Sequence, residues 1–309
     1  MNILIELPTW LGDCVMASPA IEHIASEYPD ANLHFIGSAV SVNLIQDHPR
    51  SESAEILNKN LIGIYRFAKL NSPPDVFISF RSSLRTVILN LLLGSIRFFQ
   101  YKPFRYKRGH QVEKYVDFIN DSLGINELAG ELVIYKKRCK KKLSDNISIG
   151  LNPGASYGVA KRWPEDKFIE VAITLSKKAD IFIFGGPDDV DISNRIEKKI
   201  KNHGITNVVN YAGETSIDDL CMLISCIDLF ITGDSGPMHI ASYYKIPTIT
   251  IFGPTKDSDT NQWKNPYSKI IKQNLSCQPC MKRVCPLGHN NCMKGISSKK
   301  VAELALSLI

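Results

Sequence analysis

The chain has no long hydrophobic run. Its longest strongly apolar stretch, Val87 to Leu93, is broken by Asn90 and is far too short to cross a bilayer. The opening residues Met1 to Glu6 lack the basic flank of a secretory signal and read as a strand, so a soluble cytoplasmic protein is expected. No G-x-G-x-x-G turn follows that first strand, which argues against a nicotinamide dehydrogenase. There is no G-x-x-x-x-G-K-[ST] loop and no repeat of fixed short period. Charge of one sign is scarce too: 37 Lys and Arg face 31 Asp and Glu, a net of +6. That modest excess speaks against a dedicated nucleic-acid-binding protein, the rival reading from another functional class.

What the chain does have is the composition of a globular protein, with 44% hydrophobic and 22% charged residues. At about 100–200 residues per domain, its 309 residues suggest two domains. Strand-like and helix-like segments alternate. Ile3 to Leu7 is a strand ended by Pro8, and about Asp13 to Tyr28 is helix-like, with Pro19 predicting a kink or a late start. Leu33 to Ile36 and Asp75 to Phe80 are strands, and Leu84 to Leu93 is helical. The pattern then restarts with a strand at Ile147 to Leu151 and a helix opened by Pro164, with Glu165 and Asp166 in its first turn. Strands at Ile181 to Phe184, Ile227 to Ile231 and Pro247 to Phe252 follow, and the last helix spans about Ser298 to Ile309. This alternation predicts α/β domains with parallel sheets. The basic, sheet-poor stretch from Lys136 to Asn146 is the linker candidate, giving domains 1–145 and 146–309.

Basic residues are clustered. Arg97 to Arg108 holds Arg97, Lys102, Arg105, Lys107 and Arg108, no acid, and five interleaved aromatics. Lys136 to Lys142 is a second run. Such patches suit an anionic partner: nucleic acid, a membrane surface or a phosphorylated lipid. A solvated surface with half-buried aromatics is the plain alternative.

Four loops follow strands, where open α/β sheets bind ligands. In Pro8-Thr9-Trp10-Leu11-Gly12-Asp13, Asp13 reads as a helix cap or as a general base. Asn152 to Pro164 is a glycine-bearing turn with Lys161 and Arg162 close to a helix start, a combination suited to phosphate. In Gly185-Gly186-Pro187-Asp188-Asp189 a carboxylate either accepts from ribose hydroxyls or caps the next helix. Thr232 to His239 places Asp234 and Ser235 before a helix, suited to a sugar diphosphate or merely to a capped turn.

These loops resemble those of the bacterial lipopolysaccharide heptosyltransferases, glycosyltransferase family 9. The likeness rests on the opening Leu7 to Ala20, on Pro153 to Gly158 continuing through Lys161 to Pro164, on Gly233 to His239, on Phe252-Gly253-Pro254-Thr255 and, in the Cys-rich tail, on Cys277 to Cys280, Cys285 to His289 and Cys292-Met293. It runs nearly end to end. Tyr157-Gly158-x-Ala160-Lys161 and the tail look most like the branch adding the second core heptose, with the branch acting on Kdo2-lipid A as the alternative. The resemblance implies two Rossmann-like domains facing a cleft, the glycosyltransferase B architecture. The N-terminal domain would take the acceptor and the C-terminal domain the nucleotide sugar, and the last helix is a candidate to pack back on the N-terminal domain.

It also implies roles. Asp13 would be the catalytic base and Lys161 the diphosphate contact aiding departure. Thr9, Gly12, Ser156, Asp188, Asp234, Ser235, Gly236, Met238 and His239 would line the donor site, with Asp189 the alternative to Asp188. The donor would be ADP-L-glycero-β-D-manno-heptose and the acceptor a phosphorylated heptosyl-Kdo2-lipid A met at the cytoplasmic face of the inner membrane. No metal or other cofactor would be required, and no nucleic acid bound.

Eight cysteines are present. Cys14, Cys139, Cys221 and Cys226 look isolated. Cys277, Cys280, Cys285 and Cys292 form C-x2-C-x4-C-x6-C with His289 nearby, and reduced thiols packing a loop, a structural zinc or disulfides all fit that spacing.

Overall fold

Short apolar runs alternating with amphipathic segments build two parallel sheets, one in each of two units, Met1–Lys136 and Lys137–Ile309. The computed structural model describes residues 1–58 and 60–309.

The first unit runs β1 (Asn2–Glu6), α1 (Leu11–Glu27), β2 (Asn32–Gly37), α2 (Ala39–Ile45), β3 (Ser51–Ile56), α3 (Leu61–Leu70), β4 (Val76–Ser79), α4 (Leu84–Leu93), β5 (Arg97–Gln100) and α5 (Gln111–Leu123). Its sheet order is β3-β2-β1-β4-β5, all parallel, with Ile5 beside both Phe35 and Ile78. The order reverses between β1 and β4, and in such sheets ligands bind beyond the carboxyl ends of the strands at the reversal. Leu4, Ile36 and Phe77 pack against Ile64 of α3 and Leu89 and Leu93 of α4 in a small cluster.

Pro19 does not delay α1, which begins at Leu11. The proline cannot donate to the Val15 carbonyl, and Ser18 Oγ donates to it instead at 2.7 Å. Gly94 and Gly124 end α4 and α5 in the left-handed region that a side chain would disfavour.

The second unit runs β6 (Ile147–Asn152), α6 (Glu165–Leu175), β7 (Ala179–Ile183), α7 (Val190–Asn202), β8 (Val208–Asn210), α8 (Ile217–Ile224), β9 (Leu229–Gly233), α9 (Gly236–Tyr243), β10 (Thr248–Phe252), α10 (Asp257–Thr260), β11 (Ser268–Lys272), α11 (Asn291–Lys294) and α12 (Ser298–Leu306). Its parallel sheet, β11-β10-β9-β6-β7-β8, reverses between β6 and β9. Ile149, Leu151, Ile181, Ile231 and Ile251 from the strands meet Phe168 and Val171 of α6 and Val301 and Ala305 of α12 in a large core. The last helix therefore packs on α6, within its own unit.

The units part at Lys136/Lys137 rather than at 145/146. The basic stretch after the divide is held by the second unit. Cys139 and Cys226, read as isolated, form a disulfide across 87 residues, and the Cys139 N–H donates to Ser225 Oγ at 2.8 Å. Cys14 and Cys221 are free and buried. No helix among the described residues is long and apolar enough to cross a membrane.

Candidate functional site

In the second unit, the strand-order reversal brings the loops after β6 and β9 together. Asn152, the last residue of β6, donates through Nδ2 to Thr232 Oγ1 and Ser235 Oγ, both at 3.1 Å. The two hydroxyls are 2.9 Å apart, which closes a ring of three polar side chains across the two strand ends. Ser235 is the N-cap residue of α9, with no capping bond from its side chain and with Pro237 in the first turn, so the N-terminal end of the helix lies immediately beyond the ring. Gly236 and Ser235 are partly exposed there, whereas Met238 and His239 are buried. Met238 and His239 thus stand behind the site's surface, as part of the helix that shapes it.

Lys161 closes a short 3-10 turn, Val159–Lys161, at the far end of the β6 loop. Its ammonium donates to Asp234 Oδ2 at 2.5 Å and to the Asp234 carbonyl at 3.1 Å, and it stands 4.8 Å from the centre of the Tyr157 ring. Thr255, from the Phe252-Gly253-Pro254-Thr255 segment after β10, donates to the same Oδ2 at 2.7 Å. Lys161 and Asp234, 73 residues apart, therefore form one largely buried ion pair. An ammonium has three N–H groups; Asp234 takes two, and among the described residues no acceptor is hydrogen-bonded to the third.

The Arg283 guanidinium lies 5.3 Å from the same Tyr157 ring, whose hydroxyl donates to the Met281 carbonyl at 2.9 Å. The Arg283 carbonyl accepts from Ala160 N–H at 3.1 Å. A side chain at Gly158 would lie 2.5 Å from that carbonyl, so glycine permits the close approach of the two loops. Ser156 is exposed on the same loop.

Asp189 is a buried bracket between loops. It accepts from Arg162 Nη2 at 3.3 Å and from Gly186 N–H at 3.2 Å, and a Cβ at Gly154 would fall 2.1 Å from its Oδ2. Asp188 beside it is exposed. Trp163 is core: it packs edge-on against Phe168 and donates to the Ile296 carbonyl at 3.3 Å.

The first unit has its own strand-order reversal. Glu6, at the end of β1, is buried and accepts from Ser79 Oγ at 2.6 Å, Thr86 Oγ1 at 2.7 Å and Arg81 Nη1 at 3.3 Å. Thr9 and Gly12 belong to the loop from β1 into α1. The Thr9 carbonyl accepts from Ser38 Oγ at 2.8 Å, and the Pro8 carbonyl accepts from Ser41 Oγ. Asp13 is partly exposed in the first turn of α1. Burial, and then the Asp13 carboxylate, pushes the Tyr115 phenol well above its ordinary value. Burial raises Tyr101 as well, against a hydrogen bond from Gln111, with Asp13 adding to the rise.

Cys277, Cys280, Cys285 and Cys292 are free thiols lining one small cavity with His289 and Ala160. Backbone N–H groups, that of Asn290 foremost, lower the Cys285 thiol, while burial and the neighbouring thiols raise Cys292. Among the described residues, no group of three or more His, Cys, Asp or Glu is arranged to hold a metal ion.

Sequence reasoning missed Asn152, Thr255, Tyr157 and Arg283 as site residues. Asn152, Thr255 and Tyr157 carried a signal, since all three lie in the loops and motifs quoted above. Arg283 carried none, being one basic residue in a cysteine-rich tail.

Known proteins resemble this chain in sequence and in fold. The chain is 40% identical to lipooligosaccharide heptosyltransferase 2 of Campylobacter jejuni, over 100% of this chain and 98% of that protein. Its structure matches that of E. coli ADP-heptose lps heptosyltransferase II with a TM-score of 0.81 and 22% identity, covering 100% and 98% of the two chains. It matches E. coli heptosyltransferase WaaC with ADP at a TM-score of 0.74 and 13% identity, covering all of both chains. The sequence profile of glycosyltransferase family 9 (heptosyltransferase) matches residues 94–291. With that match and the full-length identity to the Campylobacter enzyme, the chain belongs to glycosyltransferase family 9, the heptosyltransferases.

Proposed function

We propose that this glycosyltransferase moves L-glycero-D-manno-heptose from ADP-heptose to the first heptose of a heptosyl-Kdo2-lipid A acceptor, with inversion at the anomeric carbon. The observation that carries the reading is the Lys161–Asp234–Thr255 assembly beside the α9 N-terminus. A cation with one uncommitted N–H next to helix N–H groups is the equipment a leaving diphosphate needs. The names of the relatives, heptosyltransferase 2 and II, favour the second-heptose reaction over the first.

Asp13 takes the proton from the acceptor hydroxyl while that oxygen bonds to the anomeric carbon. The bond from that carbon to the diphosphate breaks, and ADP leaves with the electron pair through an oxocarbenium-like transition state. Lys161, Arg283 and the α9 N–H groups stabilise its charge. Ser156 and Asp188, exposed on neighbouring loops, are candidate phosphate and ribose contacts. Thr9 and Gly12 place Asp13. The exposed Arg105 and Lys107, with Arg81, meet acceptor phosphates in the first unit, and the enzyme works at the cytoplasmic face of the inner membrane. The four tail thiols pack a loop in reduced form; substoichiometric zinc on elemental analysis would rule out the metal, and full titration of the four by a thiol reagent in the unfolded chain would rule out disulfides among them.

The test is a mass-spectrometric transfer assay with ADP-heptose and either Kdo2-lipid A or heptosyl-Kdo2-lipid A. A gain of one heptose on the second acceptor only is expected. A gain on the first acceptor only, or on neither, would overturn the proposal.

A further inference from the structure

The outer layer formed by α3 and α4 in the first unit presents its large apolar side chains outward. These helices pack on each other and contribute Ile64, Leu89 and Leu93 to the small cluster beneath them. On α3, Leu61, Ile62, Tyr65 and Leu70 are exposed, Leu61 by 65% and Leu70 by 85%. On α4, Leu84 and Leu91 are exposed by 76% and 75%, and Leu92 is exposed as well. Single surface leucines are ordinary, but seven large apolar side chains on two adjoining short helices call for a partner.

The charge around them says which partner. Of the chain's 37 Lys and Arg, ten fall within residues 56–112; of its 31 Asp and Glu, only Asp75 does. The rest of the chain is therefore slightly acidic, and the basic surplus belongs to the segment that carries the exposed leucines. On α3 itself Arg66 and Lys69 are exposed beside them, with the Lys69 ammonium 5.7 Å from the centre of the Tyr65 ring. A second copy docking through the same face would bring like charges together. Nucleic acid would use flat rings for stacking, whereas six of the seven exposed side chains are leucine or isoleucine. Aliphatic side chains with exposed cations on the same helix fit an interface of acyl chains below anionic headgroups.

We infer that the α3–α4 face docks this enzyme on an anionic lipid bilayer. The inference deepens and rests on the proposed reading, because it seats the enzyme where a lipid-borne acceptor lies. Its test uses vesicles without any acceptor, so a failed transfer assay and a failed docking assay remain distinguishable.

The experiment is co-sedimentation of the full-length protein with vesicles of phosphatidylglycerol and phosphatidylcholine, against phosphatidylcholine alone. Binding to the anionic vesicles, weakened by salt, is expected. The double variants Leu61→Gln/Leu70→Gln and Arg66→Glu/Lys69→Glu should each partition roughly tenfold less while melting at the parent's temperature. Leu91→Gln/Leu92→Gln tests the second helix independently of whether the α3 variants fold. Failure of the parent to bind at low salt would overturn the inference. So would parent-like binding by all three variants, or a parent that pellets equally without vesicles.

Discussion

Both sheets reverse strand order at an inner pair of strands, yet the two carboxyl edges are furnished differently. In the second unit, Asn152, Thr232 and Ser235 bond one another across the reversal, and Lys161, Asp234 and Thr255 form a second knot beside them. In the first unit, three side chains converge on one buried carboxylate, Glu6, and Asp13 stands partly exposed at the start of α1. The covering layers differ in the same sense. Helices α6 and α12 close over a large core, whereas α3 and α4 cover a small one and turn leucines outward. One topology is thus furnished in two ways: polar loops already bonded to one another in the second unit, and in the first a single buried carboxylate at the edge with leucines exposed on the flank.

That contrast can be broken by mutation. The largest effect is expected from the first unit. Asp13→Asn should lower kcat by about 10²–10⁴-fold in a steady-state transfer assay, because the proposed general base is lost while the side chain's shape is kept. An unchanged kcat would remove Asp13 from catalysis. Next comes the second unit. Lys161→Ala should weaken ADP binding by about ten- to a hundredfold, the worth of a charge-assisted hydrogen bond, and lower the rate with it. A smaller effect is expected for Arg105→Glu/Lys107→Glu, which should raise acceptor KM by about three- to tenfold without moving donor KM, as exposed ion pairs are weak.

A fourth effect concerns the stability of the first unit. Burial raises the Cys14 thiol from 9.0 to about 12. The unfolded chain releases this proton near its ordinary value while the folded chain retains it. Cys14 therefore favours the folded state fully below pH 9, and its contribution falls by roughly 1 kcal/mol per pH unit between 9 and 12. Denaturant melts of Cys14→Ala and the parent across that range should show a shallower decline in the variant.

The strands legible in the sequence were the inner ones. β1, β2, β4, β6, β7, β9 and β10 are apolar runs buried on both faces, the pattern parallel strands require. β3, β5, β8 and β11, the four edges, carry no such signal in the sequence. Ser51–Ile56 is polar at four of its six positions and Ser268–Lys272 basic at two of its five, as exposed edges are, and Arg97–Gln100 opens the basic, aromatic patch. The same limit applied to the site. Lys161 and Asp234 stood out because each follows a strand in a glycine-flanked loop. Their pairing did not, because it depends on strand order. The Cys139–Cys226 disulfide, 87 residues apart, was hidden for the same reason.

The division of labour between the two units is tested most directly by calorimetric titration of ADP into the parent, Asp13→Asn and Lys161→Ala proteins side by side. The account predicts a parent-like Kd for Asp13→Asn and a Kd raised about ten- to a hundredfold for Lys161→Ala. Equal weakening in both variants, or weakening in Asp13→Asn alone, would contradict it.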